Sequence, residues 1–435
     1  MPRDAAARAL PRPRLGPPPA PRVPEAQRFT LDNGLRVVAV ERPGLPQVVL
    51  RLMLPTGSGG DPAGRAGTAA LTAQLLGEGT ATRPAAALHA ALDGLGAAFS
   101  AQATHDGSEV EMRLLAETLD AGLSLLAELL CEPAFPPGEL ERVRAELLDA
   151  LEARLDDPAN VADDRLMREV FGPEHPYGRL SIGTPDAVAM IARDELAGFH
   201  ARHYRPAGAV LVAAGSVPPA TLLRSLERSF AGWLGEAAAP ALPPVPAHAP
   251  GAGRCVELPW PDAAQAELRL GGLGMERSSR DWVPGIVANY LLGGSTITGR
   301  LGRLLREEKG WTYGVRSGFS AGRQPGGWVV ETAVEAEAAE AALEATLAEI
   351  ERLCREPVGD DELQRARDAL VLSLPRAFET PGRIVSRFAT IESYGLAPDY
   401  WQRFAGEIAA VDAAAVQEMA NRYFRAAGLA RVLVR

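Results

Sequence analysis

A chain of 435 residues exceeds what one ordinary hydrophobic core supports and suits two domains of about 200 residues each. With 47% hydrophobic and 23% charged residues it has the balance of a folded globular protein, which excludes a disordered chain. A net charge of −10 argues against a general polyanion binder, and so against a nucleic-acid partner, because phosphate contact needs a basic surface that is absent in sum.

Residues 1–27 are rich in Pro, Arg and Ala, contain no apolar run of signal-peptide length, and read as a flexible arm. Order is expected from Arg28, where RFTLDNGLRVVAVERP gives two strand-like runs around Asp32-Asn33-Gly34, a hairpin signal. QVVLRLMLPTG follows as a further strand. From Gly67 to Leu76 the apolar spacing turns helical, and 112–155 reads mostly as helix. Residues 236–252, EAAAPALPPVPAHAPGA, form an aperiodic Pro/Ala linker that divides the chain into a first domain, 28–235, and a second, 253–435. Nowhere does an apolar run approach the roughly 18 residues of a membrane span. Cys131, Cys255 and Cys354 are too few and too scattered for a disulfide framework, which fits a cytoplasmic protein.

The two halves read as copies of one unit. GLGAAFSAQATHDGSEVEMRLLAETLDAGLSLLAELLCEP in the first half and GWTYGVRSGFSAGRQPGGWVVETAVEAEAAEAALEATLAEIERLCREP in the second share one order. Each gives strand, polar turn, strand and a helix ending in a Cys and a Pro, and a second, acidic-started helix comes next. HYRPAG (203–208) and YFRAAG (423–428) then precede a final apolar strand in each half. The fold class is therefore α+β: two homologous domains, each a mixed or antiparallel sheet with helices packed on one face.

The NGL hairpin, TGS, the Gly-led helix, FSAQATHD, the DDP after a long acidic helix, and RLLREEKGWTYGV together resemble the pitrilysin/insulinase peptidases, the family of the mitochondrial processing peptidases. The resemblance runs over residues 28–435 and implies a half-clamshell that pairs into a two-chain peptidase. Active members carry H-x-x-E-H on the first helix. Two His four apart share one helix face and grip one zinc ion, while the Glu activates its water. GTAALTAQLLGEGT (67–80) fits that frame without a gap, yet Ala70 and Gln74 stand at the His positions and Ala73 at the Glu position. The family's third ligand, a Glu eight residues before the DDP proline, falls on Ala150, with Glu146 and Glu152 nearby. An Ala has no lone pair and a Gln amide is a poor zinc ligand, so no metal is expected on this chain. His200 and His203 read as structural, and there is no G-x-S-x-G elbow, Walker loop or C-x-x-C.

What the family pattern retains is R-E-x-x-G-x-x-Y, here Arg306 and Tyr313. The resemblance implies that this pair holds substrate backbone and steadies the tetrahedral oxygen, work suited to a guanidinium and a phenol. From spacing alone, Arg306 could equally be a helix-terminal charge and Tyr313 a core residue alternating with Trp311 and Val315. Residues 99–106 correspond to the sheet edge that pairs with extended substrate, or are simply a strand. LLGGSTITGRLG (291–302) reads as a turn and helix cap, and the acids from Glu331 to Glu340 as a solvated face. The expected function is the non-catalytic subunit of a heterodimeric zinc metallopeptidase. Its partner would be a paralogue with intact H-x-x-E-H that carries the zinc, its substrate a peptide and in one version a precursor or leader peptide. The alternative is an inactive scaffold or peptide-binding protein of the same fold, and homodimerisation through the same surfaces stays open.

Overall fold

The computed structural model describes residues 22–237, 242–261 and 263–435. Residues 1–21 of the expected arm and 238–241 of the expected linker lie outside the described residues. The strands are β1 (Gln27–Thr30), β2 (Arg36–Glu41), β3 (Gln47–Leu54), β4 (Ala98–Ala103), β5 (Ser108–Leu115), β6 (Val210–Gly215), β7 (Cys255–Leu258), β8 (Gln265–Leu273), β9 (Val315–Phe319), β10 (Gly327–Glu335) and β11 (Ala430–Val434).

Order begins slightly earlier than the composition suggests, because Val23 and Ala26 pack on the core and β1 starts at Gln27. β1 and β2 form the expected antiparallel hairpin. Gly34 takes φ 87° at its turn, and the Asn33 side chain ties that turn down by donating to the Phe230 and Trp233 carbonyls at 3.0 Å each.

The first sheet has the order β1-β2-β6-β3-β5-β4 and the second β7-β11-β8-β10-β9. Matching β2 to β7, β3 to β8, β4 to β9, β5 to β10 and β6 to β11 superposes the two orders, with β1 as an addition at one edge. The strand directions match as well. β2 runs parallel to β6 and β7 parallel to β11, while every other pair in both sheets is antiparallel. This shared topology bears out the duplicated α+β reading. The boundary proposed at 236–252 falls between the last strand of one sheet and the first of the other. The described part of that stretch is strapped to both halves: His175 Nε2 donates to the Pro243 carbonyl at 3.1 Å, and Val245 N–H to Gln324 Oε1 at 2.9 Å.

Alternation within the central strands shows what covers each face. Val37, Ala39, Leu50, Leu52, Leu211 and Ala213 join the core under the first half's own helices. Their neighbours Val38, Val40, Val49, Met53, Val210, Val212 and Ala214 join a core that contains the second half's Ile384, Val385 and Phe388. Strands buried on both faces must be apolar throughout, which is why VVAV and VLVAAG do not alternate.

The cover on the second face is exchanged between halves. Helix Pro381–Ser393 of the second half lies on β3 and β6, and helix Pro158–Phe171 of the first half lies on β8 and β11. Each is the third helix after the paired strands of its half. Both begin alike, with Pro at the first turn and a side-chain cap: Asp157 accepts from Ala159 N–H, and Thr380 from Arg383 N–H. Ala162, Leu166, Val170 and Phe171 pack with Ala430, Val432 and Val434. Burying a Leu, Val or Phe side chain contributes about 1.5–3 kcal/mol, so each exchanged helix is a large part of the other half's stability. Ion pairs stitch the exchange at both places: Arg269 on β8 to Asp163 at 2.5 Å, and Arg28 and Arg36 to Glu392 at 3.3 and 3.2 Å.

Candidate functional site

The zinc-motif frame forms the short helix Thr68–Gln74. It is started from outside, because the Asp61 carboxylate accepts Gly67 N–H at 2.7 Å and Ala69 N–H at 2.8 Å. Burial pushes the Asp61 carboxyl up to about 7, against the pull of those two bonds and of Arg179. Gly67 has φ 106°, and a Cβ there would meet Val188 and the Ile182 carbonyl. The helix packs on helix Arg193–His203 and on β4.

Ala70 and Ala73 are fully buried, at 2% and 0% exposure, whereas Gln74 is exposed. Ala150, also exposed, lies on helix Pro137–Leu155. At the three positions that the sequence resemblance assigns to the zinc motif, two methyl groups are packed into the protein and one amide faces water. The donors present do not fit zinc. No group of three or more His, Cys, Asp or Glu side chains arranged for a metal occurs among the described residues. One turn before Ala150, Glu146 is engaged elsewhere: Arg142 binds Glu146 and Glu139 at 2.8 Å and Glu78 at 2.5 Å. This ion cluster ties the end of the 67–80 frame to the acidic helix. Beside it lies β4, an edge strand of its sheet, with the Phe99 ring against Gly77. Of the 99–106 segment only the part up to Ala103 lies in this edge strand; beyond it the Thr104 and His105 carbonyls accept from Ser58 and Gly59 N–H at 2.8 and 3.0 Å.

Arg306 and Tyr313 sit in the second half. Arg306 is exposed on the π-helical turn Arg303–Glu308. Tyr313 precedes β9 rather than lying in it, and it is 90% exposed. The reason is local. Thr312 is buried, bonding through its hydroxyl to Gly314 N–H at 3.0 Å and Gly314 O at 2.9 Å, and Thr332 of β10 donates to Thr312 Oγ1 at 3.0 Å. With the residues on either side pinned to β10, the side chain between them points to solvent. The alternation Trp311, Tyr313, Val315 thus does not mark one core face: Trp311 is half-buried, Val315 buried, Tyr313 outside. Among the described residues neither Arg306 nor Tyr313 has a hydrogen-bond or ion-pair partner. Arg306 lies on a turn that packs on helix Ala339–Arg355 of the second half, whereas the zinc-motif frame packs on first-half elements.

His200 and His203 are structural, as expected from sequence. His200 Nε2 donates to the Leu130 carbonyl at 2.8 Å and its ring stacks on Tyr204, while His203 is buried against Phe199. Ser295 and Thr298 bond to each other at 2.8 Å in the turn before Arg300, in keeping with a cap.

A feature absent from the sequence reading is a cleft of about 830 Å³ between the halves, lined in part by Met53, His105, Asp106, Tyr177, Arg323 and Tyr394. Asp106 is its joint: one carboxylate oxygen accepts from Tyr177 Oη at 2.5 Å, the other from Arg323 N–H at 2.8 Å. Burial and Asp106 hold the Tyr177 phenol well above its ordinary pKa. These residues lie 71 and 217 positions apart, so no spacing signal could have grouped them.

Comparison with known proteins accords with this anatomy. Residues 36–180 match the model of the insulinase (M16) peptidase family, and residues 191–370 that of the M16 peptidase inactive domain. An uncharacterized zinc protease of Streptomyces coelicolor is 27% identical over 371 residues, 84% of this chain and 80% of that one. The mitochondrial-processing peptidase subunit beta of Blastocladiella emersonii is 25% identical over 271 residues, 62% of this chain and 57% of that one. The crystal structure of a peptidase M16 inactive domain from Pseudomonas fluorescens superposes with a TM-score of 0.87 at 26% identity, covering 94% of this chain and 98% of that one. Matched in both halves by the family's models and by its fold, the chain belongs to the insulinase (M16) peptidase family.

Proposed function

We propose that this chain is the non-catalytic subunit of a heterodimeric zinc metallopeptidase. It closes the substrate chamber and lends Arg306 and Tyr313 to the active site of a partner with intact H-x-x-E-H, which supplies the zinc. The observation that carries this reading is the presentation of Tyr313. A phenol at 90% exposure, fixed between two pinned neighbours and with no partner of its own among the described residues, is costly to explain as packing and simple to explain as a donor awaiting a substrate. Arg306, equally unpaired, adds a positive charge on the turn just before Tyr313. Together they suit a peptide carbonyl whose oxygen becomes an anion during hydrolysis. The substrate is a peptide able to pair with the β4 edge, a precursor or leader peptide being one such class. The setting is the cytoplasm, where Cys131, Cys255 and Cys354 stay thiols. No helix among the described residues is long and apolar enough to cross a membrane.

The test is zinc-dependent cleavage of a mixed-sequence quenched peptide by this chain, by an H-x-x-E-H paralogue encoded beside it, and by the two mixed. Activity should appear only in the mixture and fall about 10²- to 10³-fold with Tyr313→Phe or Arg306→Ala. Full activity of the paralogue alone, or of the mixtures with the variants, would leave the scaffold or homodimer readings instead.

A further inference from the structure

The second half contains another cavity, of about 710 Å³, that the peptidase reading does not use. Four arginines line it, Arg277, Arg376, Arg383 and Arg387, between the rings of Trp282 and Trp401, and its lining includes no Asp or Glu. It adjoins the cleft between the halves, sharing Ala321 and Tyr394 with it.

Two of the arginines are held in place yet left short of acceptors. Arg277, 4% exposed, lies 4.4 Å from the Trp282 ring centre and 4.9 Å from that of Tyr400, and its Nη2 donates to Tyr400 Oη at 3.0 Å. Its Nη1 is buried without a hydrogen-bond partner. Arg387, on the exchanged helix Pro381–Ser393, lies 5.3 Å from the Trp401 ring centre, and its Nε is likewise buried and unpartnered. Arg383 has an acid, Glu379 at 3.2 Å, but that carboxylate is 65% exposed and outside the cavity lining.

Two other buried arginines are paired with acids, although Arg431 Nε, outside the cavity, is also buried without a hydrogen-bond partner. Arg269 and Arg300, each under a tenth exposed, both clasp carboxylates. Leaving charged donors buried without acceptors is expensive. The strain shows in Arg387, whose pKa is lowered by burial and by the neighbouring Arg277 and Arg383. Stacking on aromatic rings fixes the guanidinium planes but supplies no acceptor for their N–H groups. An overall charge of −10 does not oppose a local basic site of this kind, because screening confines such fields to about 10 Å.

We propose that this cavity binds a small polyanion bearing phosphoryl or carboxylate groups, held by the guanidinium groups of the four arginines that line it, Arg277, Arg376, Arg383 and Arg387. The aromatic walls hold the guanidinium groups of Arg277 and Arg387 in fixed orientations, which preorganises them for an anion. The inference stands apart from the peptidase reading, since it involves neither Arg306 nor Tyr313.

The test is calorimetric titration of the full chain with pyrophosphate and, separately, with citrate, at constant ionic strength in chloride. Binding of either with Kd below about 1 mM is expected, pyrophosphate alone identifying a phosphoryl site and citrate alone a carboxylate site. Arg387→Gln and Arg383→Gln should each weaken binding about ten- to a hundredfold, while the remote surface change Arg228→Gln leaves it unchanged. Arg277 is avoided because its burial makes a folding defect the expected result. The proposal is overturned by silence from wild type at about 10 mM of both anions. It is equally overturned if Arg387→Gln and Arg383→Gln bind as wild type does.

Discussion

The exchange of helices between the halves makes a quantitative demand on Arg269. Its side chain is 5% exposed and donates to Asp163 at 2.5 Å, to Glu267 at 2.7 Å and to the Leu268 carbonyl at 3.2 Å. Burial opposes its charge, but Asp163 and Glu267 outweigh that and leave its pKa raised. Arg269→Ala strips both acids of their partner. Glu267 is only 15% exposed and must then desolvate alone, so the cost belongs with broken buried pairs, about 3–5 kcal/mol. Asp163→Ala should cost less, about 1–2 kcal/mol, because Asp163 is 43% exposed and Arg269 keeps Glu267. Arg36→Ala, at the matching stitch, should cost at most about 1 kcal/mol, since Arg36 is 50% exposed and Arg28 still holds Glu392. Urea unfolding followed by tryptophan fluorescence and by circular dichroism gives the order. Hydrogen exchange on Arg269→Ala should show protection falling in β3 and β6 together with β8 and β11. An equal cost for Arg36→Ala and Arg269→Ala would refute burial as the source of the difference. Exchange rising in β8 and β11 while the first sheet is untouched would show instead that the two halves do not open together.

Two further outcomes follow from burial in the first half. Ala73→Glu forces a carboxyl into a position with 0% exposure and should destabilise by about 3 kcal/mol or more, with or without zinc, while Gln74→His stays within about 0.5 kcal/mol; wild-type melting of Ala73→Glu would disprove the packed-methyl account. The second concerns pH. Burial pulls His200 down to about 4 from an ordinary 6.5, so between those values the unfolded chain takes up a proton that the folded chain refuses. The stability this contributes is complete above pH 6.5 and drains away as pH falls toward 4. His200→Gln should therefore lose less stability than wild type on going from about pH 7 to about pH 5. Parallel losses in chemical denaturation would refute the assignment. Asp61, raised to about 7, changes stability in the opposite sense over this range, but it is present in both proteins and cancels in the comparison.

The readable parts of this fold are those governed by neighbours in sequence. The Asn33-Gly34 turn, the capped starts at Asp157-Pro158 and Thr380-Pro381, and the repeated strand–turn–strand–helix order are set within a few residues. The zinc-motif frame was readable for the same reason: positions 70, 73 and 74 share one turn of one helix, and their side chains announce what they cannot ligate. Tyr313 was only half readable. Its motif spacing was plain, but whether it faced core or solvent depended on Thr312 reaching Thr332, twenty residues on.

Sequence alone thus determined the duplicated α+β architecture, because it rests on local periodicity, and residue chemistry gave the expectation that residues 70, 73, 74 and 150 hold no metal. The tertiary structure decided which helix covers which sheet, that Ala70 and Ala73 are sealed while Gln74 is open, and that Asp106 meets Tyr177 and Arg323 across the cleft. It also decided that four arginines share a cavity lined by no acid. The physical reason is that an apolar strand reads the same whichever helix buries it, and an arginine reads the same whether or not a carboxylate lies beside it in space.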